Sequence, residues 1–157
     1  MATRGFEFAY MLDGTQAVPV VRDFILSTAV AYKQGDLVTS ESDGDVTLMT
    51  TGIDGTFVTG VMAESVAAGD ITAGTTNGKV SIVTRNQVWK CSTDASTAAT
   101  AIVGYIKKWD TVDANTIDAS DVTGGNMIPV EVNTAKLDDD GNLIGYVVFA
   151  DTAFGNT

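Results

Sequence analysis

Short runs of apolar, largely β-branched residues, broken about every ten residues by Gly, Asp or Asn, set the rhythm of this chain. Residues 20–26 form the first predicted strand. Residues 29–38 follow, with Gly35-Asp36 turning the chain into Leu37-Val38. Asp43-Gly44 is a hairpin signal, across which Val46-Thr47-Leu48-Met49 returns antiparallel. Asp54-Gly55 closes the next turn before residues 57–62, Asn77-Gly78 introduces residues 79–84, and Asn86 turns the chain into residues 87–91. Turns at this spacing fit a barrel or a sandwich rather than alternating strands and helices.

Residues 1–19 stand apart as a leader. Phe6, Phe8 and Tyr10 alternate with Glu7 and Ala9, and Met11 and Leu12 carry the apolar character up to Asp13-Gly14 and Pro19. Aromatics at period two with no adjacent hairpin partner predict an extended segment, with two readings. It is an edge strand on the chain's own sheet, or an extended N-terminal arm that docks on a neighbouring subunit or partner. On the second reading Phe6, Phe8, Tyr10, Met11 and Leu12 are the candidate partner-binding residues. Residues 20–157 then form the β-barrel or sandwich domain, since one core is the expectation at 157 residues.

Residues 64–74 are rich in Ala and Gly and read as an irregular connection, or as one helical turn over 64–68. Residues 92–100 read as a short helix or a loop. Residues 101–109 predict a strand with Ile102, Gly104 and Ile106 on one face and Val103, Tyr105 and Lys107 on the other. Residues 110–125 turn acidic and rich in Thr, Asn and Ser, which predicts a surface excursion. Ile128, Val130 and Val132 then alternate with Pro129, Glu131 and Asn133, a half-buried strand whose proline suggests a sheet edge. After the turn at 138–142, residues 143–149 are apolar apart from Gly145, as in a strand covered on both faces, so that 128–149 is a hairpin. The fold class is mainly β: a single small β-barrel or sandwich with an extended N-terminal arm and long surface loops.

Composition narrows the function. Hydrophobic residues at 45% make the chain too apolar to stay disordered. A net charge of −11 repels phosphate backbones, and Lys107-Lys108 is too little to build a basic stripe, so nucleic acid is not an expected partner. The same charge disfavours anionic membranes, and no apolar run approaches the roughly 18 residues of a membrane span. The first residues lack a signal-peptide core, which predicts synthesis in a cytoplasm without export. Cys91 is alone, so no intrachain disulfide forms, and its spacing from Trp89 predicts a buried structural thiol on the same strand face.

Candidate chemistry is sparse. Residues 74–79 look like a phosphate-binding loop, but the spacer is three residues rather than four and Val80 follows Lys79, so a hairpin turn is the better reading. Asp138, Asp140 and Asn142 have the spacing of a calcium loop's first ligands, yet Leu143 and Phe149 stand where that loop needs Gly and a bidentate Glu. Solvated turn acids are the first reading of these carboxylates. A looser calcium site, there or among Asp110, Asp113, Asp118 and Asp121, is the alternative. The chain has no histidine, which removes the imidazole triads, imidazole zinc sites and the usual proton shuttle. No catalytic residue, cofactor or metal ligand is assigned, no enzyme is expected, and Trp89 and Trp109 read as core or interface anchors.

Three segments carry a resemblance: Tyr32-Lys33-Gln34-Gly35-Asp36-Leu37-Val38, Gly60-Val61-Met62-Ala63-Glu64-Ser65-Val66-Ala67-Ala68-Gly69, and Lys79-Val80-Ser81-Ile82-Val83. A strand leaving a Gly-Asp turn, a Gly-Val-hydrophobic-Ala-Glu strand end running into an Ala-rich loop, and a further strand resemble the small β-barrel head-decoration, or cement, proteins of tailed bacteriophages. The match spans about a third of the chain, leaving out 71–77 and everything after Cys91. The resemblance implies a non-enzymatic virion protein on the outside of an icosahedral head, bound to the major capsid protein, commonly as a homotrimer, and locking neighbouring capsid subunits together. The alternative is a phage tail, fibre or surface adhesion module that binds host glycan or protein.

Overall fold

The computed structural model describes residues 5–49, 57–96, 109–121 and 125–154, with 132–137 as backbone. The expected strand at 101–109, apart from Trp109, and the Asp54-Gly55 turn lie outside the described residues. The chain is mainly β. Its strands are β1 (Glu7–Met11), β2 (Val21–Ile25), β3 (Leu37–Ser40), β4 (Val46–Leu48), β5 (Gly60–Met62), β6 (Asn77–Ile82), β7 (Gln87–Ser92), β8 (Asp110–Asp113), β9 (Thr116–Asp118), β10 (Met127–Leu137) and β11 (Leu143–Phe149). One short 3-10 turn, Ala68–Asp70, interrupts the Ala- and Gly-rich connection.

Two antiparallel sheets hold nine of these strands, and β8 and β9 pair as a separate hairpin. The first has the order β1-β7-β11-β10, and the second β2-β6-β5-β3-β4. Between them lies a core to which the first sheet contributes Phe6, Trp89, Cys91, Met127, Val147 and Phe149, and the second Leu37 and Val61. A second core, with Leu26, Val38, Val46, Met62 and Val80 buried and Phe24 packed against them, lies on the other face of the second sheet. Side chains at successive strand positions point to opposite faces. Leu37 therefore enters one core and Val38 the other, as do Val61 and Met62. This double burial explains why the adjacent residues Leu37-Val38 and Val61-Met62 are apolar in pairs rather than alternating with polar ones.

The second sheet curls until its edges touch, yet it does not close. Leu26 and Val46 make a single parallel bridge, and the Ser27 N–H donates to the Val46 carbonyl at 2.9 Å. A sandwich with one strongly curled sheet therefore replaces the barrel alternative. Gly78 makes the curl compact: a Cβ there would stand 2.9 Å from a Leu26 methyl.

The acidic stretch after Trp109 is not a surface excursion. It contains the β8–β9 hairpin, which folds Ile117 and Ala114 into buried positions, and the Leu37 N–H donates to the Ala114 carbonyl at 2.7 Å. Its Thr and Asp residues form the hairpin's strands and turn, while Trp109 and Ile117 supply the anchor. Trp109 in turn lies against Gly145, where a Cβ would come within 2.8 Å of the ring. The β10–β11 hairpin forms as expected, turning at 138–142. Its phase differs: Met127 and Pro129 are buried while Ile128 and Val130 are half-buried, and a register shift between Pro129 and Glu131 resets the alternation. In β11 the outward residues Ile144, Tyr146 and Val148 are half-buried, so the strand is covered fully on one face only.

Candidate functional site

The leader is part of the fold. β1 pairs antiparallel with β7 at the edge of the first sheet, which is the edge-strand reading of the period-two aromatics. Phe6 is 2% exposed and its ring lies 5.7 Å from that of Phe149. Phe8 packs edge-on to Trp89 at 5.7 Å. The aromatic stripe then breaks, because a register shift between Phe8 and Tyr10 places Ala9 in a bulge. An extra residue reverses the facing of everything after it. Met11 is thereby buried, while Tyr10 turns outward and Leu12 is exposed. Of the five candidate partner-binding residues, Phe6, Phe8 and Met11 thus pack on the chain's own core, a correction to the docking-arm reading. Residues 7–11 do not extend from the domain as an arm.

Tyr10 has an intramolecular role. It stands opposite Val88 on β7, and its hydroxyl donates to Glu131 Oε2 on β10 at 3.4 Å. Because β7 and β11 lie between those strands, the ring stretches over the outer face of the first sheet. This accounts for the complete burial of Val88 at an outward position. Partial burial, with the Glu131 carboxylate beside it, raises the Tyr10 pKa above its ordinary 10.0. On the same face Lys90 donates to Glu7 at 2.9 Å, which raises the Lys90 pKa.

The accessible apolar surface lies further along. Among the described residues, the exposed large hydrophobics are Tyr10, Leu12, Val18, Val20, Val21, Ile25 and Val30, with Phe57, Val112 and Phe154 elsewhere. Seven of these ten fall between residues 10 and 30, a span built around two sheet edges. Val18 is 72% exposed. Among the described residues, β2 is a terminal strand of the second sheet and pairs with β6 alone. The Ile82 N–H donates to the Val20 carbonyl, and the Leu26 N–H to the Thr76 carbonyl. In an antiparallel ladder this commits the even-numbered backbone groups to β6 and directs those of Val21 and Asp23 to the open edge. Residues 12–30 carry Asp13, Arg22 and Asp23 as their charges, a nearly neutral stripe on a chain of net charge −11.

The acidic residues serve the turns. Asp13 accepts the Thr15 N–H, Asp43 the Asp45 N–H and Asp113 the Asn115 N–H. Asp138 accepts from both Asp140 and Asn142. Asp118 accepts the Ser120 hydroxyl and the Ser120 and Asp121 N–H groups. These bonds lower the Asp118 pKa from 3.8, with the Ser120 hydroxyl as the largest cause. The buried Asp36 accepts the Lys33 N–H at 2.8 Å and the Asn115 amide at 3.0 Å, tying the Gly35 turn to the β8–β9 hairpin. Among the described residues no group of three or more His, Cys, Asp or Glu side chains is arranged to hold a metal, and no helix is long and apolar enough to cross a membrane.

A cleft of about 280 Å³ opens where the leader crosses the second sheet, lined by Phe6, Glu7, Gly35, Met62, Ser81 and Trp89. Glu7, its only ionisable lining residue, is the ion-pair partner of Lys90. Trp89 donates its indole N–H to Gln87 at 3.2 Å, and Cys91 is buried with its thiol directed at the Asn115 carbonyl at 3.2 Å. Both groups have structural partners. Sequence reasoning missed the surface at 18–25. Its signal was present in Val18-Pro19-Val20-Val21-Arg22-Asp23-Phe24-Ile25, where consecutive apolar residues follow an edge-marking proline. No family profile, curated protein or solved structure matches this chain.

Proposed function

We propose that this protein is a non-enzymatic structural component of a virion, a head-decoration protein that binds the outer surface of an icosahedral phage head as a homotrimer and ties neighbouring major capsid subunits together. The observation that carries the reading is the concentration of exposed apolar residues between Tyr10 and Val30, on and around the edge strands β1 and β2: seven of the ten such residues among those described. Monomeric proteins rarely leave such patches open unless another surface covers them. Anionic charge elsewhere keeps the free protein soluble, while the neutral stripe meets its partner without charge repulsion. The role is mechanical: many copies share the load of packaged DNA, and no turnover is involved.

The adhesion alternative calls for aromatic rings gathered on exposed loops, and among the described residues two such rings, Phe57 and Phe154, stand against seven exposed apolar residues between Tyr10 and Val30. Of the exposed rings, Tyr10 lies on a strand, and Phe57 and Phe154 lie beside the Val58–Thr152 bridge. Co-sedimentation with purified expanded heads tests the proposal. Saturable binding in multiples of three per capsomer position is expected, with Val18→Asp and Val20→Asp weakening it at least tenfold; no binding at micromolar protein would overturn it.

A further inference from the structure

We infer that the open edge of β2 is an acceptor for one added strand, occupied by an extended segment of a partner protein that brings a carboxylate, flanked by apolar residues, opposite Arg22. The inference rests on the decoration reading for where that partner resides, and deepens it by giving the partner's chemistry. Three observations meet here. The outward backbone groups of Val21 and Asp23 form a ready template for pairing. Val18, Val20, Val21 and Ile25 supply exposed apolar surface beside it. The charges are uneven: Asp23 is paired with Lys79 at 3.2 Å, whereas among the described residues the Arg22 guanidinium meets only the neighbouring Val21 carbonyl, at 3.1 Å. Arg22 therefore guards the open carbonyl, and an incoming carboxylate draws the guanidinium away from it.

The same charges argue against a second copy as occupant. An antiparallel β2 pair related by a two-fold axis keeps the whole strand paired when it is centred on Asp23. That register sets Asp23 against its own counterpart, and like charges directly opposite are destabilising. The net charge of −11 on each copy adds to that repulsion.

The test uses the full chain and two probes, an acetylated octapeptide of Thr and Val with one central Glu and the same peptide with Lys, followed by amide NMR. The Glu peptide is expected to bind at least tenfold more tightly, to shift the Val21 and Asp23 amides and to slow their exchange. Arg22→Glu is expected to reverse the preference. Val21→Pro removes an outward N–H without touching the β6 ladder and is expected to abolish binding of both peptides. Should Val21→Pro fail to fold, the preference reversal in Arg22→Glu decides. Unmoved amides, an absent charge preference, or undiminished binding by a folded Val21→Pro variant would overturn the inference. Purified heads separate it from the reading beneath it. If wild-type protein ignores heads but binds the Glu peptide, the decoration reading fails and the acceptor stands. If wild type, Val21→Pro and Arg22→Glu all bind heads equally, the acceptor fails and the decoration reading stands.

Discussion

A single bulged residue, Ala9, decides what the leader does. The residues before it pack Phe6 and Phe8 inward, and those after it exchange Tyr10 for Met11 on the core face. Phe6→Ala is accordingly expected to cost about 3–5 kcal/mol, while Leu12→Ala stays within about 0.5 kcal/mol, as measured by urea unfolding. Gly35 imposes a second local constraint. Its φ is +94°, and a Cβ there would stand 2.9 Å from the Gly5 Cα, so Gly35→Ala is expected to destabilise by about 1–3 kcal/mol. Two titrations belong at this scale. The folded Asp118 pKa lies below its unfolded value, so its contribution is present above the unfolded value and is lost as pH falls through the folded one. Carboxyl NMR should show that Ser120→Ala raises this pKa. Tyr10 has the opposite sign: its folded pKa is raised, so its contribution is present below pH 10.0 and is lost as pH climbs through the folded value. Glu131→Gln removes part of that shift, as a phenol absorbance titration would show.

At the scale of elements, turn chemistry and period-two patterning were legible in the sequence. Asp43-Gly44 gives the β3–β4 hairpin, and the run at 128–149 gives β10–β11. The bulge in β1 was not legible, because at Ala9 no local residue type announces it, and it inverts the facing of Tyr10 and Met11 beyond it. The β8–β9 hairpin was hidden for a different reason. Its composition is that of a loop, and long-range contacts hold it on the core: Ile117 packs in the cluster with Trp109, and Ala114 and Asn115 bond to Leu37 and Asp36. Ile117→Ala should therefore cost about 2–5 kcal/mol, read by chemical unfolding, where a surface loop position would cost almost nothing. Deleting residues 2–12 removes β1 with three core side chains, so the melting temperature of the free protein should fall by several degrees or folding should fail. The edge of β2 was the least legible feature of the candidate site. Its apolar run reads as a buried strand until the sheet order shows that, among the described residues, β2 pairs with β6 on one side and meets β4 on the other only through the Leu26–Val46 bridge.

For the whole molecule, the two cores and the curled sheet leave seven of the ten exposed large hydrophobics among the described residues between Tyr10 and Val30. A chain of net charge −11 with a neutral apolar edge suits crowded assembly on a surface, where association at one stripe is combined with repulsion everywhere else. On the proposed decoration role, symmetric assembly would multiply many modest contacts into a stable shell, the way in which a small domain without disulfides would reinforce a pressurised head. The most direct test is a cryo-electron microscopy map of purified expanded heads saturated with the protein. The account predicts trimeric density over three-fold positions, with the edge from Val18 to Ile25 against a capsid strand. Bare heads, or isolated monomers attached through the opposite face of the first sheet, would contradict it.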